Sequence, residues 1–322
     1  MPVPRDLAIR PLAIGEVIDR AVALTRRHFK VLFLAMLVVQ LPALAFTRTY
    51  AAVLQQAFGE VLARPARPPA ALAGLAGASA GLAALLAFLQ LAATAATAVV
   101  VAPSLQGRPP APSLAAAGRA VLARAWPIAS SAVLQMLLLF AAPALGAVPG
   151  LLLAWRGEGA ATRLLGLGAA LLGAVVLLLG VLLRLVLAPA AAGVEGLPAF
   201  RALARSARLM APGRGLSLEE RPGLRASILL LATFLIALAA SGLAGLPRAV
   251  AAIAAGRSAL GAALPLAVEV GLAVFEALAN AAVQPFSLVA LAVFYFDRRA
   301  RREGLDLELW ADGLAGRGGG EP

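Results

Sequence analysis

Gln40, Gln90, Gln135 and Gln284 are the residues best placed for chemistry, because each interrupts a long apolar run of the sequence. Gln40 lies ten residues after Lys30, Gln135 nine after Trp126, Gln284 thirteen before Asp297, and Gln90 about twelve before the end of its run. At about 1.5 Å per helical residue, all four fall near the middle of a hydrocarbon layer about 30 Å thick. A carboxamide facing lipid lacks a hydrogen-bond partner, so these side chains are expected to point into a helix bundle. There they either tie helices together, at about 0.6 kcal/mol per bond, or line a polar cavity, and ties are the favoured expectation. Glu276, Asn280 and Ser287 extend the cluster, since positions 276, 280, 284 and 287 share one helical side.

Ionisable residues inside apolar runs are functional candidates by default. Arg184 lies about twenty residues after Arg163, and Glu276 about twenty before Asp297, which puts them near opposite membrane boundaries and unable to pair. Arg184 is expected to snorkel to the headgroups or to meet Glu195 or Asp297, and Glu269 to lie outside the hydrocarbon. Glu276 can act in a proton relay only if tilt or a kink at Pro285 brings it deeper. The single histidine, His28, stands beside Arg27 and Lys30 with no acid at helical spacing, which implies an interfacial residue. Cysteine is absent, excluding disulfides, thiol catalysis and Cys-metal sites. No Ser-His-Asp set, metal motif, Walker loop or dinucleotide fingerprint occurs, so neither metal nor cofactor is expected.

The elements that must carry these residues are membrane helices. The sequence is 61% hydrophobic and 14% charged, with mean hydropathy +0.90, against about half and about a quarter in soluble domains. Between Arg67 and Arg108 no side chain ionises over forty residues, enough to span a bilayer and leave a loop. Six spans are expected, near 31–54, 82–102, 127–155, 164–187, 226–246 and 270–296. They make one all-α polytopic bundle over 1–310, followed by a disordered tail at 311–322. Prolines within the runs are compatible with this, because neighbouring helices can satisfy the freed carbonyls.

Lys and Arg test the threading independently. Segments 1–30, 103–125, 191–225 and 297–322 hold 6, 3, 6 and 5, whereas the alternate loops together hold 7. That alternation places both termini in the cytoplasm. Trp126 and Trp155 bracket the third span like interface anchors. The net charge of +12 therefore implies attraction to anionic headgroups, and not to nucleic acid.

Three short basic segments with helical periodicity precede the odd-numbered spans. Over about 12–28, Ile14, Val17, Ile18, Ala21 and Leu24 form an apolar stripe, with Arg20 and Arg27 elsewhere on the surface. Leu114, Ala117, Val121 and Leu122 make a weaker second stripe. Phe200, Leu203, Ala204 and Ala207 make the third, with Arg201, Arg205 and Arg208 on the other face. Such helices suit the headgroup layer, their arginines turned to anionic lipid or a cytoplasmic partner. Small residues at four-residue spacing, Gly77/Gly81, Gly146/Gly150 and Ala169/Gly173, invite close helix approach.

Two stretches, "RPLAIGEVIDRAVALTRRHFKVL" (10–32) and "FYFDRRARREGLDLEL" (294–309), resemble the ends of bacterial proteins related to the membrane domain of glycerophosphoryl diester phosphodiesterase. "RLVLAPAAAGVEGLPAFRALARSARLM" (184–210) is similar to the segment joining spans four and five in that family. The resemblance implies a six-helix membrane domain. It does not imply phosphodiesterase activity, because the family's catalytic part is a separate soluble barrel, and no segment here can hold a barrel of about 250 residues. Two roles follow as expectations: a non-catalytic structural or accessory membrane module, which is favoured, and a transporter or lipid-handling protein using a polar mid-membrane cavity.

Overall fold

The computed structural model describes residues 11–63, 69–109, 113–212, 220–254 and 265–304. Among these residues the regular structure is entirely helical, with no strand. In order the helices are α1 (Ile14–Arg27), α2 (Phe29–Ala63), α3 (Pro69–Leu105), α4 (Leu114–Leu122), α5 (Ala125–Arg156), α6 (Ala160–Leu185), α7 (Ala188–Glu195), α8 (Ala199–Met210), α9 (Pro222–Ala254) and α10 (Leu266–Glu303). Among the described residues five segments are long and apolar enough to cross a membrane: Gly77–Leu105, Ala125–Arg156, Ala160–Glu195, Pro222–Ala251 and Ala267–Glu303. The first expected span lies in α2, a continuous helix of 35 residues, of which Phe29–Leu44 is an apolar stretch. The tail at 311–322 lies outside the described residues.

α10 is the hub, packing on α1, α2, α3, α7, α8 and α9. Its second half is deeply buried, with Leu288, Val289, Phe294 and Tyr295 almost fully enclosed. α5 and α6 form a peripheral antiparallel hairpin whose outer face is leucine. Leu164, Leu165, Leu171 and Leu172 are 65–70% exposed, an arrangement that water penalises and lipid does not. The hairpin closes through small residues, because a Cβ on Gly146 would overlap the Gly173 carbonyl and one on Gly150 would overlap the Ala170 backbone. Gly77 and Gly81 face open space instead. Prolines 42, 103, 143, 149, 247 and 285 all lie inside helices that continue past them.

The fourth span breaks. Pro189 lacks the N–H that would bond the Leu185 carbonyl, and the chain turns there from α6 into the short, buried α7. Side chains from two other helices repair the break. Gln135 of α5 donates from Nε2 to the Leu185 carbonyl at 3.1 Å. Ser206 of α8 donates to the Arg184 carbonyl at 2.8 Å and accepts from the Leu187 N–H at 3.2 Å. Gly196, with φ of 69°, then ends α7 in the left-handed conformation that leads into α8.

The amphipathic segments depart from expectation in detail. In α1, Val17, Ala21 and Leu24 are buried as expected, but Arg20 is only 9% exposed and so is not a surface arginine. The buried face of α8 is Ala202, Leu203, Ser206, Leu209 and Met210, while Phe200 is 76% exposed and Ala204 is also exposed. The buried face is thus rotated from the expected stripe and carries Ser206, which reaches the helix break. In α4 only Ala117 is buried.

Candidate functional site

Three of the four glutamines meet. Gln40 of α2 donates from Nε2 to Oε1 of Gln284 on α10, and Gln284 donates from its own Nε2 to Oε1 of Gln90 on α3 at 2.5 Å. The amides form a chain across three helices. On one side of it lies a cavity of about 340 Å³, lined among others by Gln40, Thr47, Gln90, Glu276, Asn280 and Gln284. At about 30 Å³ per water molecule, this space holds several waters. Asn280 accepts from the Ser241 hydroxyl of α9 at 2.8 Å, which fixes its amide at the cavity wall.

Glu276 is paired across helices. Arg248 of α9 hydrogen-bonds Glu269 and lies 3.8 Å from Glu276. Neither pair is visible in the sequence, because hydropathy does not say that α9 packs beside α10.

Gln135, expected with the other three, stands apart at the α6–α7 break, where its Oε1 is buried with no hydrogen-bond partner among the described residues. It lines a second space of about 270 Å³, together with Gln90, Thr94, Thr233, Phe234 and Ser287. Gln90 therefore borders both cavities.

At the arginine-rich end of the bundle, ionisable residues are consumed by cross-helix bonds. Asp297 is wholly buried and accepts from the Leu12 N–H at 2.7 Å and from Arg301 Nε at 3.0 Å. Arg225 lies 3.4 Å from the same carboxylate and also donates to the Leu12 carbonyl at 2.6 Å. Arg298 clasps the Leu209 carbonyl at 3.0 Å. Glu195 accepts from Arg205 at 2.9 Å and from the Tyr295 hydroxyl, while Glu303 accepts from Arg205 at 2.7 Å and from Arg299 at 3.1 Å. Burial works against the charge on Arg205, but its bonds to Glu303 and Glu195 outweigh that and raise its pKa above the ordinary arginine value. Arg205 is thus a structural clamp, in contrast to the lipid-facing role expected of it.

Arg27, Arg201 and Arg208 are exposed or half-exposed at this end. Arg184 is exposed as well, and Glu195 and Asp297 are bonded to other residues. His28 is 7% exposed, with Nε2 2.9 Å from the Ser104 hydroxyl of α3. It is a buried tie between the end of α1 and α3, not an interfacial side chain. Burial, followed by the neighbouring Arg27 charge, lowers its pKa below the ordinary histidine value. Among the described residues no group of three or more His, Asp or Glu is arranged to hold a metal.

Nothing in the sequence points directly to Ser206 or Arg248, although Ser206 in a basic amphipathic segment is the one polar residue aligned with the buried positions of α8. No family model, curated protein or solved structure matches the chain.

Proposed function

We propose that this is a multi-pass protein of the cytoplasmic membrane that binds a polar or amphipathic solute inside the bilayer, in the manner of a transporter or lipid-handling protein. The observation that supports this reading is the cavity of about 340 Å³ walled by Gln40, Gln90, Glu276, Asn280 and Gln284. The six spans are α2, α3, α5, α6 with α7, α9 and α10, and both termini lie in the cytoplasm. The excess of Lys and Arg at that end supports this orientation. Three segments carry the resemblance to the phosphodiesterase membrane domain, and they meet around Leu12, Glu195, Arg205 and Asp297. No phosphodiester hydrolysis is assigned to the chain.

A second role, as an accessory module on anionic lipid or a cytoplasmic partner, is favoured by the outward-facing Arg27, Arg201 and Arg208. It predicts that Arg201→Gln with Arg208→Gln lowers the anionic lipid that copurifies with the protein.

The absence of cysteine makes the main test clean, because an introduced thiol is the only one in the chain. Asn280→Cys in sealed vesicles is expected to react with a membrane-impermeant thiol reagent applied from the extracytoplasmic face. A thiol that reacts only after the protein is unfolded in detergent sinks the cavity reading.

A further inference from the structure

The two cavities lie at successive depths along the same helices. On α10, Glu276, Asn280 and Gln284 line the first, and Ser287, Leu288 and Leu291, further along the helix, line the second. On α3 the order is the same: Leu86 and Leu89 border the first, Gln90 borders both, and Leu91 and Thr94 border the second. Both helices run toward the arginine-rich end, where α3 meets His28 and α10 meets Leu12. The first cavity therefore lies on the side of the opposite end, and the second lies between the glutamines and the arginine-rich end. The Gln40–Gln284–Gln90 chain stands at the level where one space gives way to the other.

We infer that the two cavities are halves of one transmembrane path, that the three-amide chain is the gate between them, and that the path admits small uncharged molecules rich in hydrogen-bonding groups. This rests on the proposed role of the first cavity as a binding space. The solute class comes from the chemistry of the narrow level. Three neutral amides can exchange their mutual hydrogen bonds for bonds to a passing amide or hydroxyl, as lining donors and acceptors do in selective pores. An ion at that level would shed its hydration with no opposite charge beside it, because Glu276 is eight residues from Gln284, about 12 Å along the helix. The gate is also weak enough to open. Interhelical hydrogen bonds in membranes are individually weak, and two join the three glutamines. The wall of the second cavity is the side-chain-repaired break at Pro189, a type of interrupted helix tolerated at membrane depth where backbone is buried or lines a cavity.

The test uses full-length protein in oriented proteoliposomes, with Asn280→Cys reporting the first cavity and Ser287→Cys the second, each in the native background, with Gln284→Ala and with Gln90→Ala. In the native background, the thiol at position 280 is expected to react from the extracytoplasmic face only, and the thiol at position 287 from the cytoplasmic face only. With either glutamine replaced, the position-287 thiol is expected to react from the extracytoplasmic face as well. Urea-driven vesicle swelling, followed by light scattering, is expected to quicken several-fold over the native protein, while sodium remains excluded. Retention of the folded form on size exclusion checks each variant. If the position-280 thiol reacts from neither face, the binding space itself falls. If it reacts as expected but the position-287 thiol stays closed to the extracytoplasmic reagent in both glutamine variants, the cavity stands and the gate is overturned. Open labelling with unchanged urea swelling overturns the solute class.

Discussion

Replacing Asp297 by Asn tests whether the arginine-rich end is a clamp or a loose collection of charges. The Asp297 carboxylate has no exposed side-chain surface and faces Arg225, whose side chain is 8% exposed, and Arg301, at 26%. Removing one member of a buried ion pair leaves the other uncompensated, at about 3–5 kcal/mol. The more exposed Arg301 pair adds at most about 1 kcal/mol after screening. The asparagine oxygen can still accept the Leu12 N–H, which preserves a bond of about 1 kcal/mol and places the expected loss near the lower end, about 3 kcal/mol. Unfolding in mixed micelles against SDS mole fraction reads this directly. Arg301→Gln is the internal control and should cost no more than about 1 kcal/mol. If Asp297→Asn also costs under about 1 kcal/mol, the carboxylate is not the anchor that the geometry makes it.

Other outcomes follow from the same structure. Gly146→Ala and Gly150→Ala should each destabilise the α5–α6 hairpin by about 1–3 kcal/mol in the same titration, since each new methyl meets backbone, whereas Gly77→Ala, facing open space, should not destabilise the protein. Ser206→Ala strips partners from the Arg184 carbonyl and the Leu187 N–H and should cost about 1–3 kcal/mol, while Gln135→Leu, losing one membrane hydrogen bond, should cost under about 1 kcal/mol. His28 has a folded-state pKa below its ordinary 6.5, so the unfolded chain takes up the proton first as pH falls. The stability present above pH 6.5 is therefore lost as pH drops through 6.5 toward the folded value, and His28→Gln should flatten the fall in melting temperature between about pH 7.5 and 5.5.

The helices were legible because a bilayer selects apolar length, a property that survives without knowledge of neighbours. Depth counting also put Gln40, Gln90 and Gln284 at one height, where they meet, since a fixed rise per residue converts sequence position into height. It failed for Gln135 because height does not specify direction: this amide turns to a carbonyl freed by Pro189, and the break is invisible in a hydropathy profile that runs smoothly from α6 into α7. Arg20 and Arg205 show the same gap. Periodicity assigns them a surface position on an isolated helix, but α1 and α8 are not isolated, and packing against α10 turns one into the interior and engages the other with Glu195 and Glu303. Which helix lies beside which decides the pairing of Arg248, and that is a property of the assembled bundle.

The bond from the Leu12 N–H to Asp297 spans 285 residues of chain. During synthesis at about 5–20 residues per second, the first helix must wait roughly 15–60 s for the acceptor that holds it. Throughout that interval Val17, Ala21 and Leu24 have no α10 to cover them. The contact at Asp297 can form only once the last helix has been made, so the earliest described part of the protein is secured by the latest.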